Sequence, residues 1–195
     1  MIGEKGFADA SVADIAADAG CSVGTFYRRF RDKHALLHAL DDRLAREFRA
    51  TMDSAVDPAR WEGAGIAEIL EGYVRFSLEV GPARAPLRRA ALLMSVRDPV
   101  FAERNTRLTR ELHERLRALL LDRRAEVGHP DPELAIEFAL EQIRALLLSR
   151  LEGEPIAPHF LSISDERFVE ETLRGVQRYL DLVTARGGSP EGNDP

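Results

Sequence analysis

Between Ser11 and Leu37 the apolar positions fall into two short helical faces, a tight turn between them, and the start of a longer third face. Val12, Ile15, Ala16 and Ala19 recur at helical spacing. Ser11 stands where an N-cap belongs, and Asp14 three residues on gives a capping-box pattern with Asp in place of Glu or Gln. Gly20 can take positive φ and ends this helix, Cys21 follows in the turn, and Ser22 caps a second helix from about Val23 to Phe30. In that helix Phe26 and Phe30 share one side, which leaves Gly24, Thr25, Tyr27 and Arg28 facing outward. Asp32 caps a third helix with Lys33 in its first turn. Its stripe of Leu36, Leu37, Leu40, Leu44 and Phe48 carries it to about Val56, where Asp57 and Pro58 stop it.

The rest of the chain repeats the helical period. A fourth helix is expected over residues 63–80, with Ile66, Ile69, Leu70, Tyr73 and Val74 on its face, and with Gly81 and Pro82 as its break. A short helix is expected to start near Pro86 and to carry Leu87, Leu92, Leu93 and Met94. Asp98 and Pro99 open the next, which shows Leu108, Leu112, Leu116 and Leu119 in line and ends near Gly128. After His129-Pro130-Asp131-Pro132, residues 133–151 form an apolar helix. Residues 153–164 form a loop, 165–186 the last helix, and 187–195 a disordered Gly/Pro-rich tail. No segment alternates with period two, so the fold class expected is all-α.

Composition narrows the class of protein. At 195 residues with 45% hydrophobic and 31% charged positions, the chain can bury a core of useful size. A single cysteine excludes an intramolecular disulfide, and no run reaches the length of a membrane span. Together with the lack of a secretion signal, this sets the expectation of a cytoplasmic protein. Cys21 is expected to be a small residue fitting a tight turn. No nucleophile elbow, phosphate loop, paired C-x-x-C or catalytic triad occurs, so no enzyme activity and no cofactor are expected. His34 and His38, four apart with Asp41 and Asp42 close behind, have a spacing that can hold a metal, but they read as a surface pair and no metal is assigned.

Charge points to nucleic acid. The formal net charge is −6, yet Gly24 to Lys33 carries a net +3 from Arg28, Arg29, Arg31 and Lys33 against Asp32. A local basic patch on an acidic protein marks a nucleic-acid contact better than uniform basicity does. Two short helices across a turn are the layout of a helix-turn-helix, whose second helix offers its N-terminal residues to the major groove. There Gly24 lets the backbone approach, and Thr25 offers a hydroxyl and a methyl. Tyr27 can donate to a phosphate, Arg28 can reach a phosphate or a guanine edge, and Lys33 beside free N–H groups can clamp a phosphate. The candidate DNA-contacting set is Ser22, Val23, Gly24, Thr25, Tyr27, Arg28 and Lys33.

The run A-D-I-A-x-x-A-G-x-S, followed by G-T-F-Y and F-x-x-K-x-x-L, closely resembles the N-terminal domain of the tetracycline-repressor (TetR) family of bacterial regulators. The matching residues are Val12, Asp14, Ile15, Ala16, Ala19, Gly20, Ser22, Gly24, Thr25, Phe26, Tyr27, Phe30, Lys33 and Leu36. Members carry another helix upstream. Glu4, Lys5, Gly6 and Phe7 resemble its end and the following turn, so the native start is expected further upstream. The competing expectation is a dimeric ligand-binding or interaction protein whose DNA reader is impaired by the missing helix.

The resemblance implies a helix-turn-helix domain over residues 1–45 and a ligand-binding and dimerisation domain over 46–186. It also implies a homodimer through residues 133–151 and 165–186, reading a palindromic operator in double-stranded DNA as a repressor until a small-molecule effector releases it. The effector is expected to be hydrophobic, with Phe76, Met94, Phe101, Phe138 and Gln142 as candidate pocket residues and Trp61 as a lid or a surface anchor.

Overall fold

Caps and one glycine set the first three helices. The Ser11 hydroxyl accepts the Asp14 N–H at 3.1 Å while the Asp14 carboxylate accepts the Ser11 N–H at 3.0 Å, opening α1 (Val12–Asp18). Gly20 then turns the chain at φ +63°, a conformation that costs a residue with a Cβ. Ser22 accepts the Thr25 N–H at 3.1 Å at the start of α2 (Val23–Arg29). Asp32 accepts the Ala35 N–H at 2.8 Å at the start of α3 (Lys33–Ala55). These positions come from a computed structural model, which describes residues 10–96, 98–152 and 161–182, with the backbone alone at 83, 84, 86–88, 91–93 and 95. The upstream segment on which the missing-helix expectation rests lies outside the described residues. So do most of the 153–164 loop, residues 183–186 of the expected last helix, and the 187–195 tail.

Four long helices follow: α4 (Ile66–Ser95), α5 (Pro99–Leu121), α6 (Pro132–Glu152) and α7 (Asp165–Leu180). Two 3-10 turns, Pro58–Trp61 and Arg124–Glu126, join them, and the described residues contain no strand beyond an isolated bridge between Val127 and Leu182. The fold is all-α, with an N-terminal helix-turn-helix and a helical C-terminal part. α4 runs through its middle and packs against α3, α5, α6 and α7. Ile69, Leu70 and Val74 of α4 meet Leu120 of α5, Ile136 and Ile143 of α6 and Val176 and Leu180 of α7 in the main core. A separate small cluster joins Leu37 of α3, Ala90 of α4 and Phe101 of α5, with Met94 packed on it.

Two expected breaks are corrected. Gly81 and Pro82 do not end the fourth helix, and no separate helix begins near Pro86; α4 passes through all three. An interior proline costs roughly 3 kcal/mol of helix stability. Burial along α4, the element that touches most others, outweighs that cost, and Pro82 sits on its exposed side. Gly81 is buried because Leu151 lies where a Cβ would be, at 2.7 Å, so this glycine permits the α4–α6 approach instead of breaking the helix. The last helix closes at Leu180, earlier than its apolar period suggested. Asp181 turns left-handed at φ 50°, and its carbonyl accepts the Gly128 N–H at 3.0 Å. That bond and the one from the His129 N–H to the Leu180 carbonyl at 3.3 Å take up carbonyls that one more helical turn would need.

Candidate nucleic-acid interface and ligand cavity

α2 has one buried side and one open side. Phe26 is buried, with the Phe30 ring 5.6 Å away, while Val23, Gly24, Tyr27 and Arg28 are exposed, Tyr27 by 54%. Thr25 lies between, half-buried. Its hydroxyl is 3.0 Å from that of Ser22 and accepts a hydrogen bond from Arg28 at 3.1 Å. Ser22 therefore starts a chain of contacts that reaches Arg28 across one helical turn. Arg29 and Arg31 are exposed beside them, and Arg31 pairs with Asp32 at 3.1 Å. The Asp32 carboxyl is held below its ordinary value, first by the Ala35 N–H and then by Arg31, so it stays charged as a cap. Lys33 is placed differently from its neighbours. It is half-buried, and its ammonium donates to the Ala10 carbonyl at 3.4 Å, tying the start of α3 to the segment before α1. Replacing Ser22 with alanine is expected to cost about 1 kcal/mol of stability. The urea midpoint measures it, and an unmoved midpoint would show that the cap contributes nothing.

The C-terminal part holds a partly open cavity of about 440 Å³ between α3, α4, α5 and α6. Its wall on α3 is one stripe from Asp41 through Leu44, Phe48 and Met52 to Val56. This explains why Leu44 and Phe48 of the predicted apolar stripe are only half-buried: they face the empty space. Trp61 closes the end away from the helix-turn-helix. Its indole N–H donates to the Ala55 carbonyl at 2.8 Å, and its ring lies against Gly72, where a Cβ would come within 2.4 Å of it. Arg123 holds the loop carrying Trp61 by donating to the Ala64 carbonyl at 2.6 Å. Tyr73 also lines the cavity. Burial pushes its hydroxyl up to about 12, with Arg144 working in the opposite sense.

The candidate pocket residues are not gathered in one place. Phe76 lines this cavity. Met94 and Phe101 belong to the small cluster under the helix-turn-helix, where Phe101 stacks on His38 with ring centroids 4.2 Å apart. Phe138 is 51% exposed on α6 with its ring 5.3 Å from that of Tyr179, and Gln142 is not among the lining residues. The sequence period gives the side of a helix but not what stands opposite it, and those four residues are not on this cavity's wall. Sequence reasoning missed Asp41 and Arg104, which line the end nearer the helix-turn-helix and pair with each other there. A signal was available, because Arg104 interrupts the apolar line of Phe101 and Leu108 on α5 at helical spacing.

The expected surface pair His34 and His38 separates in role. His38 bonds Asp98, the N-cap of α5, at 2.8 Å, and no group of residues suited to a metal occurs among the described residues. Burial works to raise the Asp98 carboxyl, but the Val100 N–H and His38 outweigh it and hold it below its ordinary value. No described helix is long and apolar enough to cross a membrane.

Comparison with known proteins agrees with this geometry. The family model for bacterial regulatory proteins of the tetR family matches residues 1–40. No curated protein sequence matches the chain. Among solved structures, a TetR-family transcriptional regulator from Mesorhizobium loti superposes with a TM-score of 0.69 at 19% identity, over 92% of this chain and 89% of that one. A TetR regulator from Haloarcula marismortui gives 0.62 at 18% identity, over 92% and 90% of the two chains. The TetR-family regulator PfmR from Thermus thermophilus gives 0.55 at 19% identity, over 94% of each. The chain thus carries the N-terminal domain of the tetR family of bacterial regulatory proteins, set on the all-helical fold of TetR-family transcriptional regulators.

Proposed function

We propose that this DNA-binding regulator is a repressor that holds a palindromic operator as a homodimer and leaves it when a small, largely apolar effector fills the cavity. The carrying observation is the open side of α2. Val23, Gly24, Tyr27 and Arg28 stand exposed on a helix whose opposite side is anchored by Phe26, within a stretch of net +3 on a chain of net −6. In this reading Ser22, Val23, Gly24 and Thr25 bring the helix start to the base edges, Arg28 reads a base or a phosphate, and Tyr27 and Lys33 hold phosphates. Lys33 must leave the Ala10 carbonyl to do so. The DNA-binding part ends near residue 45 within α3, so a shift of that rigid helix moves the reader. The protein works in the cytoplasm, where its operator and effector are.

The test is a DNA-binding titration over a salt series, using the DNA that flanks the chain's own gene. Lys33→Ala and Tyr27→Phe are expected to weaken binding to every sequence, with Lys33→Ala reducing the salt slope by about 1, whereas Arg28→Ala changes which sequence is preferred. A salt slope unchanged by Lys33→Ala would remove its phosphate role. Native protein that binds none of the flanking DNA would count against the operator reading.

A further inference from the structure

The cavity has a shape and a charge pattern that narrow its occupant. Its wall on α3 extends from Asp41 to Val56, a length of about 22 Å at 1.5 Å per residue, so the 440 Å³ is drawn out along the helix. Most of the lining is apolar. Its charged members are Arg60, Arg104 and Arg144 against the single carboxylate of Asp41. Arg144 pairs outward with Glu141, and Arg60 lies over the Trp61 ring at 5.6 Å. Arg104 is the best shielded of the three that form ion pairs or stack here. Its side chain is 17% exposed and that of Asp41 15%, and the two form an ion pair between α5 and α3.

That pair belongs to both the cavity wall and the joint beneath the DNA-binding part. Arg104 also reaches the His38 carbonyl at 3.5 Å, one turn before Asp41, and His38 in turn bonds Asp98 and stacks on Phe101. We infer that the effector is a long-chain anionic amphiphile whose acid group takes Arg104 from Asp41 and so unlatches α3 from α5. The inference rests on the reading of this cavity as the effector site. An apolar chain satisfies the drawn-out wall, and an anion answers the excess of arginine. A second carboxylate beside the shielded Arg104 sets two negative charges against one positive, and that repulsion loosens the Asp41 pair. A cationic ligand would have to compete with Arg104 for the only carboxylate.

The chain's lone tryptophan, Trp61, lines the cavity and reports its filling by fluorescence. Dodecanoate, dodecanol and dodecyltrimethylammonium, each below its aggregation concentration, are titrated into native protein and into Arg104→Gln and Asp41→Asn. Dodecanoate is expected to bind at least tenfold more tightly than the other two, to lose that preference in Arg104→Gln, and to bind more tightly in Asp41→Asn. Equal affinity for the three head groups, preference for the ammonium, or binding of none overturns the inference on native protein alone, whatever the variants do. A carboxylate preference that survives Arg104→Gln overturns the assignment to Arg104, with the helical signal of the variant checked first. Operator binding by the same native sample is measured in parallel, so the ligand class can fail while the regulator reading stands, and the reverse.

Discussion

Phe101→Ala is expected to separate the unfolding of the DNA-binding part from that of the rest. Phe101 is 1% exposed and joins Leu37 and Ala90 in a cluster distinct from the main core. Its ring also stacks on His38 of α3 at 4.2 Å. Removing a buried phenylalanine costs about 3–5 kcal/mol. In the main core such a loss would be shared by residues from five helices. Here it falls on the few groups that seat the first turns of α3 on α4 and α5, and folded domains hold only about 5–15 kcal/mol in total. Trp61 packs on the main core and reports the body, whereas the helical signal in circular dichroism reports the whole chain. In urea, part of the helical signal should be lost well before the Trp61 transition, whose midpoint stays near that of native protein. A single shifted transition seen by both probes would mean that the small cluster and the main core unfold as one unit. Leu37→Ala, at a residue of the same cluster that is 0% exposed, should show the same split.

The separate cluster also marks the limit of what the sequence tells. Helix starts were legible because a cap involves residues three apart: Ser11 with Asp14, Ser22 with Thr25, and Asp32 with Ala35 all bond as their spacing predicts. The open side of α2 was legible for the same reason, since Phe26 fixes which way a seven-residue helix turns. What the sequence hid depends on distant partners. Leu44, Phe48 and Met52 have the types of core residues whether they face another helix or an empty space, so the cavity leaves no mark in the period of α3. Gly81 and Pro82 carry the local chemistry of a break, and only Leu151, seventy residues on, shows why the helix continues. Arg104 and Asp41 are sixty-three residues apart, and nothing local to either one names the other.

Phe138→Arg should turn a dimer into a monomer and sharply weaken operator binding while leaving the fold of each chain intact. α6 buries Ile136, Leu140, Ile143 and Leu147 inward, yet Leu134 and Phe138 on another side are 57% and 51% exposed. With Ala145, also exposed, they follow the helical repeat as an apolar stripe crossed by Glu141, and Phe138 is extended toward α7 by its contact with the Tyr179 ring. Scattered exposed leucines need no partner, but a stripe along one helix marks an association surface. Under the two-fold arrangement proposed above, each Phe138 meets the same surface of the other chain, so one substitution sets two guanidinium groups against an apolar partner face. Sedimentation at micromolar concentration should give one chain where native protein gives two. DNA affinity should fall by roughly 10²–10⁴, because the second half-site no longer gains from the first. Since Phe138 is half exposed in the single chain, the thermal transition measured at low concentration should barely move. If Phe138→Arg still sediments as native protein does, the stripe is not the interface. If it sediments as a monomer but binds the operator undiminished, the paired reading of a palindrome fails instead.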